Sequence, residues 1–60
     1  MDQEKVGGII KTLRKDRGMT QLELALCLNV TDRAVSKWER GLGCPDISLL
    51  TRLSEIFSVD

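Results

Sequence analysis

Apolar residues recur along this chain at spacings of three and four, separated by short polar or glycine-bearing stretches, a rhythm that predicts an all-α fold of four helices. Val6, Ile9, Ile10 and Leu13 form the first stripe, predicting a helix from about Gln3 to Arg17 with a charged opposite face. Gly7 and Gly8 lie inside it. Each costs about 1 kcal/mol relative to Ala, and a glycine is best tolerated in a helix where another backbone comes close. Thr20 is a good N-cap for a second helix, with Glu23 in capping-box position and Leu24, Ala25 and Leu28 spaced to bury one face. Asn29 stops that helix because Asn tolerates the left-handed conformation of a tight helix end, and Val30 tucks beneath the turn. Thr31 caps again, Ala34, Val35 and Trp38 recur at helical spacing, and Gly41 closes the element. Two short helices joined by about three or four residues make Thr20 to Gly41 a helix-turn-helix. A fourth helix is predicted just after Cys44, with Pro45 in its first turn and Ile47, Leu50, Leu53, Ile56 and Phe57 along one side.

Sixty residues make one domain, 1–60. A domain of this size buries only about 60% of the surface its unfolded chain exposes, so its stability margin is thin. A hydrophobic content of 42% with a single proline argues for a folded unit rather than a disordered tail. No run approaches the roughly 20 apolar residues of a membrane span and no signal peptide is recognisable, so a cytoplasmic location is expected.

Nine basic and nine acidic residues cancel, which argues against a binder that works by bulk positive charge alone. Their distribution is uneven. Between Arg33 and Arg40 the three cations Arg33, Lys37 and Arg40 stand against Glu39 alone, whereas Asp2, Glu4, Asp46, Glu55 and Asp60 lie near the ends or in the fourth helix. Cys27 and Cys44, in a chain without histidine, fit no paired-cysteine zinc spacing, so no metal and no cofactor are expected. Free thiols are favoured over a bridge or a redox switch in a reducing compartment. No activated nucleophile, glycine-rich phosphate loop or carboxylate cluster is present, which excludes an enzyme at the level of motifs. One Trp and one Phe, both expected to be buried, supply no stacking platform for single-stranded nucleic acid.

The ordered set Gln21, Leu24, Ala25, Val30, Val35, Ser36, Lys37, Trp38, Glu39, Arg40, Gly41 resembles the helix-turn-helix of the Cro and lambda-repressor-like (Xre-type) transcriptional regulators. Ile10 to Gln21 is similar to that family's first helix and its glycine-containing link. Pro45 to Leu50 and Leu53 to Val59 are similar to its fourth helix, so the likeness spans roughly residues 5 to 60. Gly7 matches a common small residue of the family; Gly8 does not. The resemblance implies a lambda repressor-like DNA-binding domain in which the family's usual fifth helix, often part of a dimer contact, is missing.

It also implies sequence-specific binding of double-stranded DNA as a transcriptional regulator, here expected to be a repressor. The major groove admits an α-helix and displays a distinct pattern for each base pair. In such proteins the N-terminal part of the second motif helix reaches base edges, which points to Asp32, Arg33, Ser36 and Lys37. Arg33 is the leading candidate, since a guanidinium can donate two bonds to a guanine. Asp32 departs from the basic or amide residue usual there; it is expected to accept from a cytosine amino group or to cap the helix and orient Arg33. Phosphate contacts fall to Thr20, Gln21, Thr31, Arg40 and the backbone around Gly41 and Leu42, with Gln21 matching the family's phosphate-contacting glutamine. A solvated surface charge is the competing reading of Arg40. Arg14 and Glu39 match positions that form a structural ion pair between the first and third helices of similar repressors, and Trp38 is expected to pack against the fourth helix.

The expected partner is an inverted-repeat operator bound by a homodimer. The alternative is a protein-interaction module such as the antitoxin of a toxin–antitoxin pair. Leu22 and Leu26, one turn apart with Cys27 beside them, are open to two readings: a partner surface, or cover for the ends of helices one and four.

Overall fold

The computed structural model describes residues 2–58, so Val59, the last residue of the fourth-helix likeness, and Asp60 lie outside the described residues. Four helices follow one another: α1 (Gln3–Asp16), α2 (Gln21–Leu28), α3 (Asp32–Glu39) and α4 (Ile47–Phe57). The first three begin and end where the sequence predicts, within one residue. Each start has a side-chain acceptor. Asp2 caps α1, the Thr20–Glu23 capping box opens α2, Thr31 caps α3 and Asp46 caps α4.

The ends of α1, α2 and α3 share one device. Gly18 (φ +64), Asn29 (φ 59) and Gly41 (φ +75) turn left-handed, and the next residue's N–H reaches back into the last turn. Those closing bonds run from Met19 to Arg14, from Val30 to Ala25 and from Leu42 to Lys37, at 3.0, 3.0 and 2.9 Å. Each one reverses the chain within a few residues, which lets four short helices wrap one core.

Ile10, Leu24, Ala25, Leu28, Val35, Trp38, Leu53 and Phe57 form that core, with Val6, Leu13, Val30, Leu49 and Leu50 packed around it. Both α1 and α2 pack on α3, and α4 packs on α2. Gly7 marks the tightest approach: a Cβ there would sit 2.0 Å from the Trp38 carbonyl oxygen. Gly8, its neighbour, faces open space with nothing within 4 Å.

Three expectations are corrected. Pro45 is buried ahead of α4 rather than inside its first turn, because Asp46 is the better cap, accepting from the Leu49 N–H at 3.0 Å and the Ser48 hydroxyl at 2.7 Å. Ile47 is therefore the first residue of α4 and stands 82% exposed, ahead of the part that reaches the core. Ile9 is 59% exposed, since Ile10 takes the inward position; it lines an open groove with Leu13, Leu50 and Phe57 between α1 and α4.

Candidate nucleic-acid interface

Helix α3 divides cleanly by face. Val35 and Trp38 are buried, whereas Asp32, Arg33, Lys37 and Arg40 are exposed. Arg33, Lys37 and Arg40 are separated by four and three residues, so they share one side of the helix. Ser36 is half-buried at the border, and its carbonyl accepts the Arg40 backbone N–H at 3.1 Å and the Arg40 Nε at 3.3 Å. That second bond lays the guanidinium along the end of α3. Trp38 Cδ1 lies within van der Waals reach of a Cβ placed on Gly43, so its ring packs beside the loop leading to α4.

The cap of α3 is Thr31, whose Oγ1 accepts from the Ala34 N–H at 3.1 Å, so the capping alternative for Asp32 is corrected. Asp32 instead occupies the first turn, where its charge complements the positive helix end. Thr20 accepts from Glu23 in the same way while the Glu23 carboxylate takes the Thr20 N–H. Both hydroxyls accept in these bonds, and each keeps its own proton for a further acceptor.

The Gly41 and Leu42 N–H groups donate to the Trp38 and Lys37 carbonyls at 3.1 and 2.9 Å, closing α3. The Leu42 side chain is 63% exposed.

Arg14 joins α1 to α3. Its Nε and Nη2 donate to the two carboxylate oxygens of Glu39 at 2.7 and 3.0 Å, and its Nη1 donates to the Met19 carbonyl at 2.7 Å. The two side chains are only 10% and 3% exposed. Burial alone pushes the Glu39 carboxyl up, but the bonds from Arg14 and Gln21 and the nearby positive charges outweigh it and hold Glu39 below the usual glutamate range.

The Gln21 bond is a feature that sequence reasoning missed. Gln21 is half-buried at the first position of α2 and its Nε2 donates to Glu39 Oε1 at 3.2 Å. One signal was available: a carboxylate offers about four lone-pair sites and a bidentate guanidinium fills two of them, so an enclosed Arg–Glu pair leaves acceptor capacity for a further donor. Leu22 and Leu26 are 55% and 71% exposed. Cys27 and Cys44 are both free thiols, Cys27 on the surface.

A short Thr-capped helix presenting three cations, set one turn from a second helix and clamped to the body by a buried ion pair, is the architecture of a DNA-binding regulator. The helix-turn-helix family model HTH_3 matches residues 10–60, and the chain belongs to that family. It is similar to the HTH-type transcriptional activator BcrR of Enterococcus faecalis, 42% identical over 50 residues that are 83% of this chain and 24% of BcrR. It is also 30% identical, over its whole length and 67% of the relative's, to the ImmF control region 10 kDa protein of Bacillus phage phi105. Among solved structures, the clp gene regulator ClgR of Corynebacterium glutamicum superposes with a TM-score of 0.90 at 27% identity, covering 100% of this chain and 64% of ClgR. An HTH_3 family transcriptional regulator of Vibrio cholerae gives 0.84 at 25% identity, over 100% of this chain and 34% of that one. The chain thus spans about a quarter of BcrR and under two thirds of ClgR.

The fold is accordingly that of the lambda repressor-like regulators, and the family is one of DNA-binding transcriptional regulators rather than enzymes. No described helix is long and apolar enough to cross a membrane.

Proposed function

We propose that this domain represses transcription by inserting α3 into the major groove of an inverted-repeat operator as a cytoplasmic homodimer. The observation that carries the reading is the division of α3, with Arg33, Lys37 and Arg40 exposed on one side and Val35 and Trp38 buried on the other. Arg33 reads a guanine, Lys37 and Ser36 reach the neighbouring base edges, and Asp32 accepts from a cytosine amino group. Thr20, Gln21, Thr31 and Arg40 hold the phosphates on either side, aided by the positive N-terminal ends of α2 and α3. A dimer places its two half-sites about 34 Å apart, one duplex turn.

Selection of bound duplexes from a random pool, followed by binding of variants to the winning site, tests this. Arg33→Ala is expected to relax preference at one base pair by about 1–3 kcal/mol, and Gln21→Ala to weaken all sites evenly. The reverse pattern overturns the assignment. A reporter driven by the selected operator fixes the sign of regulation, on which the activator BcrR argues the other way.

The exposure of Leu22 and Leu26 favours a second reading, a protein-interaction module of the antitoxin kind. Salt separates the two: affinity for duplex that falls steeply with rising salt supports the DNA reader, whereas indifference to salt favours the protein partner.

A further inference from the structure

The Gln21 side chain sits at the start of α2 and is tied to the last residue of α3, so one hydrogen bond spans the two helices of the motif. We propose that Glu39, held by Arg14, is a positioning residue for DNA, orienting the Gln21 amide so that it meets a backbone phosphate. The proposal rests on the phosphate role given to Gln21 in the preceding section.

Arg14 fixes Glu39 first. Two parallel bonds of 2.7 and 3.0 Å lock the carboxylate plane, and the third arm of the guanidinium is anchored on Met19, just ahead of α2. Glu39 Oε1 then receives one proton of Gln21 Nε2. A primary amide is planar, so committing one N–H sets the direction of the other, which points away from Glu39 and stays available to an acceptor. Ordering the side chain before DNA arrives removes an entropic loss that a freely rotating glutamine suffers on binding. Charge agrees with this role. A bare carboxylate beside a phosphate site repels the duplex, and the bidentate guanidinium cancels that repulsion.

The experiment measures affinity for a fluorescent random-sequence duplex and for the selected operator, with folding followed by circular dichroism. Replacing both charges, Arg14→Met with Glu39→Met, strands neither one, and such apolar exchanges of buried pairs are commonly tolerated by the fold. This chain is expected to bind both duplexes about tenfold more weakly, the share of one hydrogen bond to a charged phosphate, with its base preference unchanged. Adding Gln21→Ala to it costs nothing further. Arg14→Met with Glu39→Gln, which restores an acceptor oxygen for Gln21, recovers most of the affinity, a rescue that a merely structural role does not predict.

Equal losses from Gln21→Ala in the parent and in the doubly apolar background overturn the proposal, as does full affinity of that background. Failure of the parent to bind any duplex in a salt-dependent way overturns the DNA reading itself, a distinct outcome. Should the apolar pair unfold the domain, nitrogen relaxation of the Gln21 side-chain amide in the free parent decides. Order close to that of the backbone supports the proposal, and free averaging refutes it.

Discussion

Helix α1 meets its two neighbours in different ways. Toward α3 it presents Gly7, whose missing side chain lets the Trp38 carbonyl approach, and Arg14, whose three guanidinium nitrogens each donate a hydrogen bond. Toward α4 it presents Ile9 and Leu13 across an open groove. Closure on that side comes at the far end, where Arg17 lies over the Phe57 ring at 5.2 Å and donates to the Phe57 carbonyl. The difference teaches where geometry is over-determined. The helix that carries the exposed cations is locked by backbone proximity and a buried charge pair, whereas the scaffold helix is held by side-chain packing that tolerates gaps.

Substitutions probe that contrast in descending order of effect. Glu39→Ala strands the Arg14 charge in a site almost sealed from water and is expected to cost about 3–5 kcal/mol, enough to unfold much of so small a domain. Urea unfolding followed by Trp38 fluorescence reads the loss, and a cost under 1 kcal/mol shows the clamp to be dispensable. Acid attacks the same contact. Because Glu39 titrates lower in the folded than in the unfolded chain, its contribution is complete above the ordinary glutamate range and disappears as the pH falls through the lowered folded value. Thermal melts on descending pH should show a drop that Glu39→Gln, having no proton to gain, lacks.

Adjacent glycines give the next test. Gly7→Ala forces α1 and α3 apart and is expected to destabilise by about 1–3 kcal/mol, since the clash is with backbone and cannot be relieved by a rotamer change. Gly8→Ala meets nothing and should stabilise by up to about 1 kcal/mol through helix propensity. Opposite signs from two neighbouring positions are the sharpest form of the comparison; equal signs contradict it. Smallest of all, Ile9→Lys on the groove rim is expected to change stability by less than about 0.5 kcal/mol in thermal melts.

Much of the fold was legible because it is written in local chemistry. Thr20, Asn29, Thr31 and Gly41 act through hydrogen bonds and backbone angles that involve only a few neighbouring residues, so their pattern predicts helix ends within a residue. Pro45 misled because two adjacent residues, a proline and an aspartate, both suit a helix start, and the stronger side-chain acceptor prevailed. Ile9 and Ile47 misled for another reason. A stripe three or four residues apart is wider than the surface a small neighbour covers, so its edge positions stay wet.

What the chain by itself determined is therefore the set of elements, the caps of α2 and α3 and the side of α3 that carries cations, since all of these depend on residues within about a turn of one another. Tertiary structure decided which backbone Gly7, the glycine that the resemblance already set apart from Gly8, comes close to. It also decided that Gln21 is tied to Glu39. Those outcomes depend on how residues distant in sequence approach one another to within a few ångströms, and helical periodicity carries no information on that distance.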